Sequence, residues 1–161
     1  MNGSIGLIEM LNLSNIIALI GGVKNPRYAS NKLFLWDDHK AKEMSEMRFT
    51  SHAKNLKMKS DRILVLTEEK IYVFNFNTSE LVDSLETKSN NKGIISISVK
   101  GNTIFSYPDK NELSKIKVKD YDKQKEITIK GHKGPINCLQ LYKDGTILSK
   151  ASDVGNIYKT F

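Results

Sequence analysis

Lys32-Leu33-Phe34-Leu35-Trp36-Asp37 and Lys70-Ile71-Tyr72-Val73-Phe74-Asn75 repeat one phrase 38 residues apart: a lysine, four apolar or aromatic residues, then a carboxylate or carboxamide. Each reads as a short buried strand closed by a turn-forming residue. A weaker copy, Lys115-Ile116-Lys117-Val118-Lys119-Asp120, follows 45 residues later, and a fourth begins with Ile157-Tyr158-Lys159-Thr160-Phe161, about 41 residues further on. Repetition at roughly 40 residues is the mark of propeller blades, and a sandwich does not show it.

The remainder of the chain has the same texture. Short apolar segments rich in Ile, Val, Leu, Tyr and Phe alternate with clusters of Asn, Asp, Gly, Ser and Lys, and no long stretch holds a helical apolar period. About fifteen strands result, among them 53–58, 93–99, 136–142, 146–151 and 156–161. The expected fold is all-β, a β-propeller of WD40-like four-stranded blades with about four blades present, hence a single partial propeller. Blades fall at approximately 1–50, 51–90, 91–130 and 131–161, the last incomplete. The last one carries most of the WD-repeat pattern: Gly131-His132, apolar Ile136, Cys138, Leu139 and Leu141, the Asp144-Gly145 turn, Ile147 and Leu148, then Asp153 and Gly155. In that pattern the histidine and the aspartate hold a buried polar network.

Composition sets outer limits. The 161 residues are 39% apolar and 27% charged, so the chain is expected to fold as a globular protein. Its net charge of +7 favours anionic partners without choosing among nucleic acid, phosphoinositide headgroups and acidic protein surfaces. The basic residues are scattered, and no aromatic-rich RNA-binding signature accompanies them, so a nucleic-acid partner is not expected. One cysteine and three dispersed histidines predict neither disulfides nor a metal site, and no cofactor is expected. The default location is cytoplasmic.

Catalytic patterns are poor. There is no G-x-S-x-G or H-E-x-x-H, and Gly21-Gly22-Val23-Lys24 lacks the spacing of a phosphate-binding loop. An enzyme is not expected. Asp37 and Asp38 read as turn or blade-edge residues, Cys138 as a buried inert thiol, and Trp36 as apolar filler between blades. Lys115, Lys117 and Lys119, like Lys57 and Lys59, alternate with apolar neighbours and are assigned to solvated faces.

One irregular stretch is more specific than general WD grammar. Ala18-Leu19-Ile20-Gly21-Gly22-Val23-Lys24-Asn25-Pro26-Arg27-Tyr28, followed by Asn31-Lys32-Leu33-Phe34-Leu35-Trp36-Asp37-Asp38, resembles the PROPPIN family, the WIPI-type WD-repeat proteins that interact with phosphoinositides. The resemblance continues through 61–66, 71–76, Asn91-Lys92-Gly93, Tyr107-Pro108 and 131–161, nearly the whole chain. It implies a seven-bladed, non-catalytic scaffold. Such a scaffold binds phosphatidylinositol 3-phosphate and phosphatidylinositol 3,5-bisphosphate and acts in autophagy and endolysosomal traffic. It would sit peripherally on endosomes, autophagosome precursors and the vacuole or lysosome. The family reads headgroups with a Phe-Arg-Arg-Gly or Leu-Arg-Arg-Gly motif, whose guanidinium groups make bidentate phosphate contacts. This sequence contains no Arg-Arg and resembles a central fragment of such a protein.

Carried over residue by residue, the resemblance places His132, Ser152 and Lys159 near the family's first headgroup site. Each also has a structural reading: the WD polar network, a turn and a solvated edge. The loop Lys24, Asn25, Pro26, Arg27, Tyr28 is a candidate docking site for autophagy protein partners, with Pro26 and Arg27 as its anchor, or else a rigid inter-strand loop. The alternative function is a WD-repeat protein-interaction domain without lipid affinity. A homodimer is also expected, held by the first blade near 5–11 and the last near 136–161, because an open propeller exposes apolar blade faces.

Overall fold

The repeated phrase forms β3 (Lys32–Asp37), β7 (Lys70–Asn75) and β11 (Ile116–Asp120), each the third strand of a four-stranded antiparallel sheet. Its closing residue builds the turn to the fourth strand. Asp37 Oδ1 accepts the Lys40 N–H at 3.1 Å, Asn75 Oδ1 accepts the Asn77 N–H at 2.8 Å, and Asp120 Oδ1 accepts the Lys123 N–H at 3.1 Å. Four residues after the cap, the backbone turns left-handed in all three copies: Ala41 at φ 50°, Ser79 at φ 60° and Gln124 at φ 51°. Such a conformation strains a residue with a Cβ by about 1–2 kcal/mol, so the turn is held by its cap and by the strands on either side.

The computed structural model describes residues 3–11, 13–26, 28–87, 90–112, 114–130, 134–152 and the backbone of 157–160. Among them the chain is all-β, and it divides into two units, Met1–Leu85 and Glu86–Phe161.

In the first unit, β1 (Ile5–Met10), β2 (Ile16–Gly21), β3 and β4 (Lys42–Arg48) form one sheet in sequence order. A second sheet contains β5 (Ala53–Met58), β6 (Arg62–Thr67), β7 and β8 (Leu81–Glu86). Alternation sends Ile20, Leu33 and Met47, cross-strand neighbours in one row, toward the second sheet, where Leu56, Ile63, Val65, Tyr72 and Phe74 meet them. Ile63, Val65 and Leu33 are fully buried, each worth about 1.5–3 kcal/mol relative to exposure. At the edge of this interface Lys57 on β5 lies 3.8 Å from Glu9 on β1.

In the second unit, β9 (Ser96–Ile97), β10 (Ile104–Pro108), β11 and β12 (Lys125–Ile129) form a sheet. β13 (Ile136–Leu141), β14 (Leu148–Ser152) and β15 (Ile157–Thr160) form the next. Ile94, Ile116, Val118, Ile136, Leu139, Leu141 and Leu148 make the core of this unit.

Three sequence expectations need correction. The strand expected at 93–99 is reduced to Ser96–Ile97. The Asn90 carboxamide closes a turn onto both the N–H and the carbonyl of Ile94, and Val99 and Lys100 both donate to the Lys143 carbonyl. Cys138 is exposed, because the register shifts between Ile136 and Cys138. A bulge there restarts the alternation, so Leu139 and Leu141 point inward and the thiol points out. Lys59 is buried, since the tight β5–β6 hairpin, with paired Lys59 and Arg62 backbones, curls it inward. Of the other lysines, Lys115 reaches Glu112 at 2.7 Å and Lys117 pairs with Glu126, while Lys119 lies over the Tyr121 ring at 5.5 Å. Trp36 is half-buried in β3.

Candidate functional site

Strand β14 carries two polar side chains on its inner face. Leu148, Lys150 and Ser152 alternate inward, all buried, while Ser149 and Ala151 point the other way. The Ser152 hydroxyl is buried and has no hydrogen-bond partner among the described residues. Leaving such a group unsatisfied costs about 1–3 kcal/mol, which makes it a ready donor to a ligand. Two residues away, Lys150 Nζ donates to the Lys130 carbonyl at 2.6 Å, and burial holds its ammonium below the ordinary 10.5. An anion beside Lys150 would stabilise its charged form.

Ser152 pairs across the sheet with Ile136, and Ile136 also lines a cavity of about 230 Å³ with Asn90, Lys92, Ile94, Pro108 and Pro135. The Lys92 ammonium on the rim donates to the Asn137 carboxamide. Lys159 lies on β15 with its backbone paired to Ser149, three positions along β14 from Ser152. The two therefore stand at different levels of the sheet, about 10 Å apart along the strand. His132 and Asp153 lie outside the described residues. The sequence reading missed Lys150, although its inward register with Leu148 and Ser152 was a usable signal. Among the described residues no group of three or more His, Cys, Asp or Glu could hold a metal ion.

The loop after β2 is tied to the start of β1. The Ser4 N–H donates to the Asn25 carbonyl at 2.9 Å, the Ser4 hydroxyl donates to the Lys24 carbonyl, and the Gly22 N–H donates to the Ser4 carbonyl at 3.1 Å. Glycine is required at this crossing: a Cβ on Gly21 would stand 1.4 Å from the Tyr28 carbonyl oxygen. Tyr28 closes the loop by packing on the Phe34 ring, centroids 4.5 Å apart. Downstream, Ser30 hydrogen-bonds His52 Nδ1 at 2.5 Å. Lys24, Asn25 and Pro26 are left exposed on this tethered loop, with Asn25 at φ 48°, and Arg27 lies outside the described residues.

This chain is similar over 98% of its length to SVP1-like protein 2 from Pichia angusta, with 32% identity. It is also 32% identical, over 95% of its length, to Autophagy-related protein 18e from Arabidopsis thaliana. It spans 46% and 41% of those two relatives. Among solved structures, the complex of KlAtg21 with the coiled-coil of AgAtg16 is similar in fold, with a TM-score of 0.81 at 22% identity over 96% of this chain and 51% of the other. Three four-stranded antiparallel sheets, a fourth sheet with three described strands, and this likeness make the fold a partial β-propeller. The sequence model of the PROPPIN family matches residues 4–161, and the chain belongs to that family.

Proposed function

We propose that this chain is part of a non-catalytic, phosphoinositide-binding WD-repeat scaffold. It recognises phosphatidylinositol 3-phosphate and phosphatidylinositol 3,5-bisphosphate and acts in autophagy and endolysosomal membrane traffic. The observation that carries this reading is the PROPPIN match along residues 4–161, and the inner face of β14 supports it locally. A phosphorylated inositol needs hydrogen-bond donors and positive charge in a desolvated place. Ser152 supplies a buried hydroxyl with no hydrogen-bond partner among the described residues and Lys150 a buried ammonium; the family resemblance assigns His132 to the same headgroup and Lys159, at another level of the sheet, to a more peripheral contact. The absence of Arg-Arg removes the paired guanidinium contacts, so this chain alone binds weakly.

The second role is protein capture. A fold relative is solved with a coiled-coil, and we assign Lys24, Asn25, Pro26, Arg27 and Tyr28 to docking an autophagy partner of that kind. The protein would then be cytoplasmic and peripherally bound to endosomes, autophagosome precursors and the vacuole or lysosome. The sheets are assigned as successive blades of one propeller, divided near 1–50, 51–90, 91–130 and 131–161.

Titrating isotope-labelled chain with inositol 1,3-bisphosphate tests the lipid reading. Amide shifts centred on Lys150 to Ser152 are expected, and an unchanged spectrum at millimolar ligand would overturn it. In that event the second reading, a protein-interaction domain without lipid affinity, takes its place, as the missing Arg-Arg favours.

A further inference from the structure

The layer between the third and fourth sheets is not filled along its whole height. Ile116 and Val118 of β11 pack there against Ile136, Leu139, Leu141 and Leu148. At the level where β10 and β14 end and β13 begins, the layer widens into the cavity of about 230 Å³ walled by Ile94, Pro108, Pro135 and Ile136. Protein interiors keep few voids larger than one water, whose share of the liquid is about 30 Å³, so a space of this size is a feature of the fold. Its walls are stiff. Two are prolines, and a third is the Asn90–Ile94 turn, which the Asn90 carboxamide closes with two hydrogen bonds of 2.9 Å. A preformed, mostly apolar hollow with a few polar groups beside it has the form of a small-ligand site.

The polar groups beside the cavity are donors. Ser152 ends β14 opposite Ile136, and its buried hydroxyl has no partner among the described residues. On the facing sheet Ser106, fully buried and likewise without a described partner, stands two residues from Pro108 on the same face of β10. That face looks across the layer, because the hydroxyl of Ser96, paired with Ser106, accepts the Leu141 N–H at 2.8 Å. The Lys92 ammonium stands on the rim, and the described lining holds no carboxylate. We propose that the cavity receives the ester-linked glycerol and first chain carbons of a phospholipid whose phosphorylated head lies against Lys150 and Ser152. This rests on the phosphoinositide reading and adds that the site takes a lipid rather than a headgroup alone. Ester and phosphate oxygens accept without donating, which matches the hydroxyls of Ser106 and Ser152 and the ammonium groups of Lys92 and Lys150, while the methylenes meet proline and isoleucine walls. A peptide matches less well. It brings N–H donors, and the carboxamide oxygens of Asn90 and Asn137 are already taken by the Ile94 N–H and the Lys92 ammonium.

The test titrates isotope-labelled chain with inositol 1,3-bisphosphate and with dioctanoyl-phosphatidylinositol 3-phosphate below its micelle concentration, following isoleucine methyl groups and amides. Both ligands should shift the amides from Lys150 to Ser152. Only the lipid should shift the methyls of Ile94 and Ile136, and it should bind about tenfold tighter or more, as burial of roughly two methylenes provides. Ile94→Trp fills the cavity, so it should remove that advantage and leave the bisphosphate titration unchanged, which also reports that the variant is folded. Equal affinities with Ile94 and Ile136 unmoved would overturn this inference alone, whereas unmoved amides from Lys150 to Ser152 with both ligands would overturn the lipid reading beneath it. Methyl shifts from the acidic tripeptide Asp-Leu-Asp, and none from the lipid, would give the cavity to a protein partner and overturn the inference likewise. If Ile94→Trp fails to fold, the methyl shifts and affinities of the unmodified chain decide.

Discussion

Lys150 and Ser152 share one buried face of β14, two residues apart, the first with its ammonium committed to a backbone carbonyl and the second with its hydroxyl unpartnered among the described residues. Burial lowers the Lys150 ammonium below 10.5, so the unfolded chain binds the proton more tightly than the folded one. Stability should therefore rise with pH as the solution approaches 10.5 from below, through the lowered folded value. Urea unfolding between neutral and alkaline pH checks this, and Lys150→Met should flatten that rise. An identical pH profile for the variant would remove Lys150 as its source.

The acid side has a different origin. Burial pushes the Asp37 carboxyl up, but the Lys40 N–H, the Asn15 carboxamide and the Lys40 ammonium outweigh it and hold it below 3.8. Asp120 is balanced in the same way by burial against Asn102 and Lys123. Carboxylates lowered in the folded state stabilise it above their unfolded values, and that contribution is lost as pH falls through the folded ones. Stability should drop below about pH 4. Asp37→Asn should blunt the drop while keeping the turn, since Asn75 caps the equivalent turn without a charge.

Left-handed Ala41 and Gln124 are strained by their Cβ atoms, and glycine relieves that strain. Ala41→Gly and Gln124→Gly should each stabilise by up to about 1 kcal/mol, with the entropy of an unfolded glycine reducing the gain. Thermal unfolding reads this directly, and a loss of stability in both variants would show that the turns are unstrained.

The tethered loop separates binding from folding. Replacing Pro26 and Arg27 together by alanine should leave thermal stability nearly unchanged and weaken capture of an Atg16-type coiled-coil. Gly21→Ala should instead cost about 3 kcal/mol or more, because its Cβ cannot coexist with the Tyr28 carbonyl. A large stability loss in the double variant, with capture intact, would make the loop purely structural.

The repeated phrase made the third strand of three sheets legible, because a strand ending in Asp or Asn specifies both its own burial and the turn that follows. Tight turns marked by glycine were legible for the same reason, and Gly145 stands at φ 78° beside Ile104. What escaped depends on register. A single extra residue between Ile136 and Cys138 reverses which side chains face inward, and composition carries no sign of it. Lys150 escaped because lysine on a strand reads as solvated unless its inward neighbours, Leu148 and Ser152, are weighed with it.

Flotation of this chain with vesicles tests the account most directly. Three compositions are compared: phosphatidylinositol 3-phosphate, an equal charge of phosphatidylinositol 4-phosphate, and neutral lipid. Without paired arginines, recovery should be weak at low ionic strength and similar for the two phosphoinositides, absent on neutral lipid, reduced in Lys150→Met, and lost in roughly 0.5 M salt. Tight, isomer-selective binding would contradict the role given to the missing arginines, and no recovery on either phosphoinositide at low salt would contradict the lipid-binding function itself.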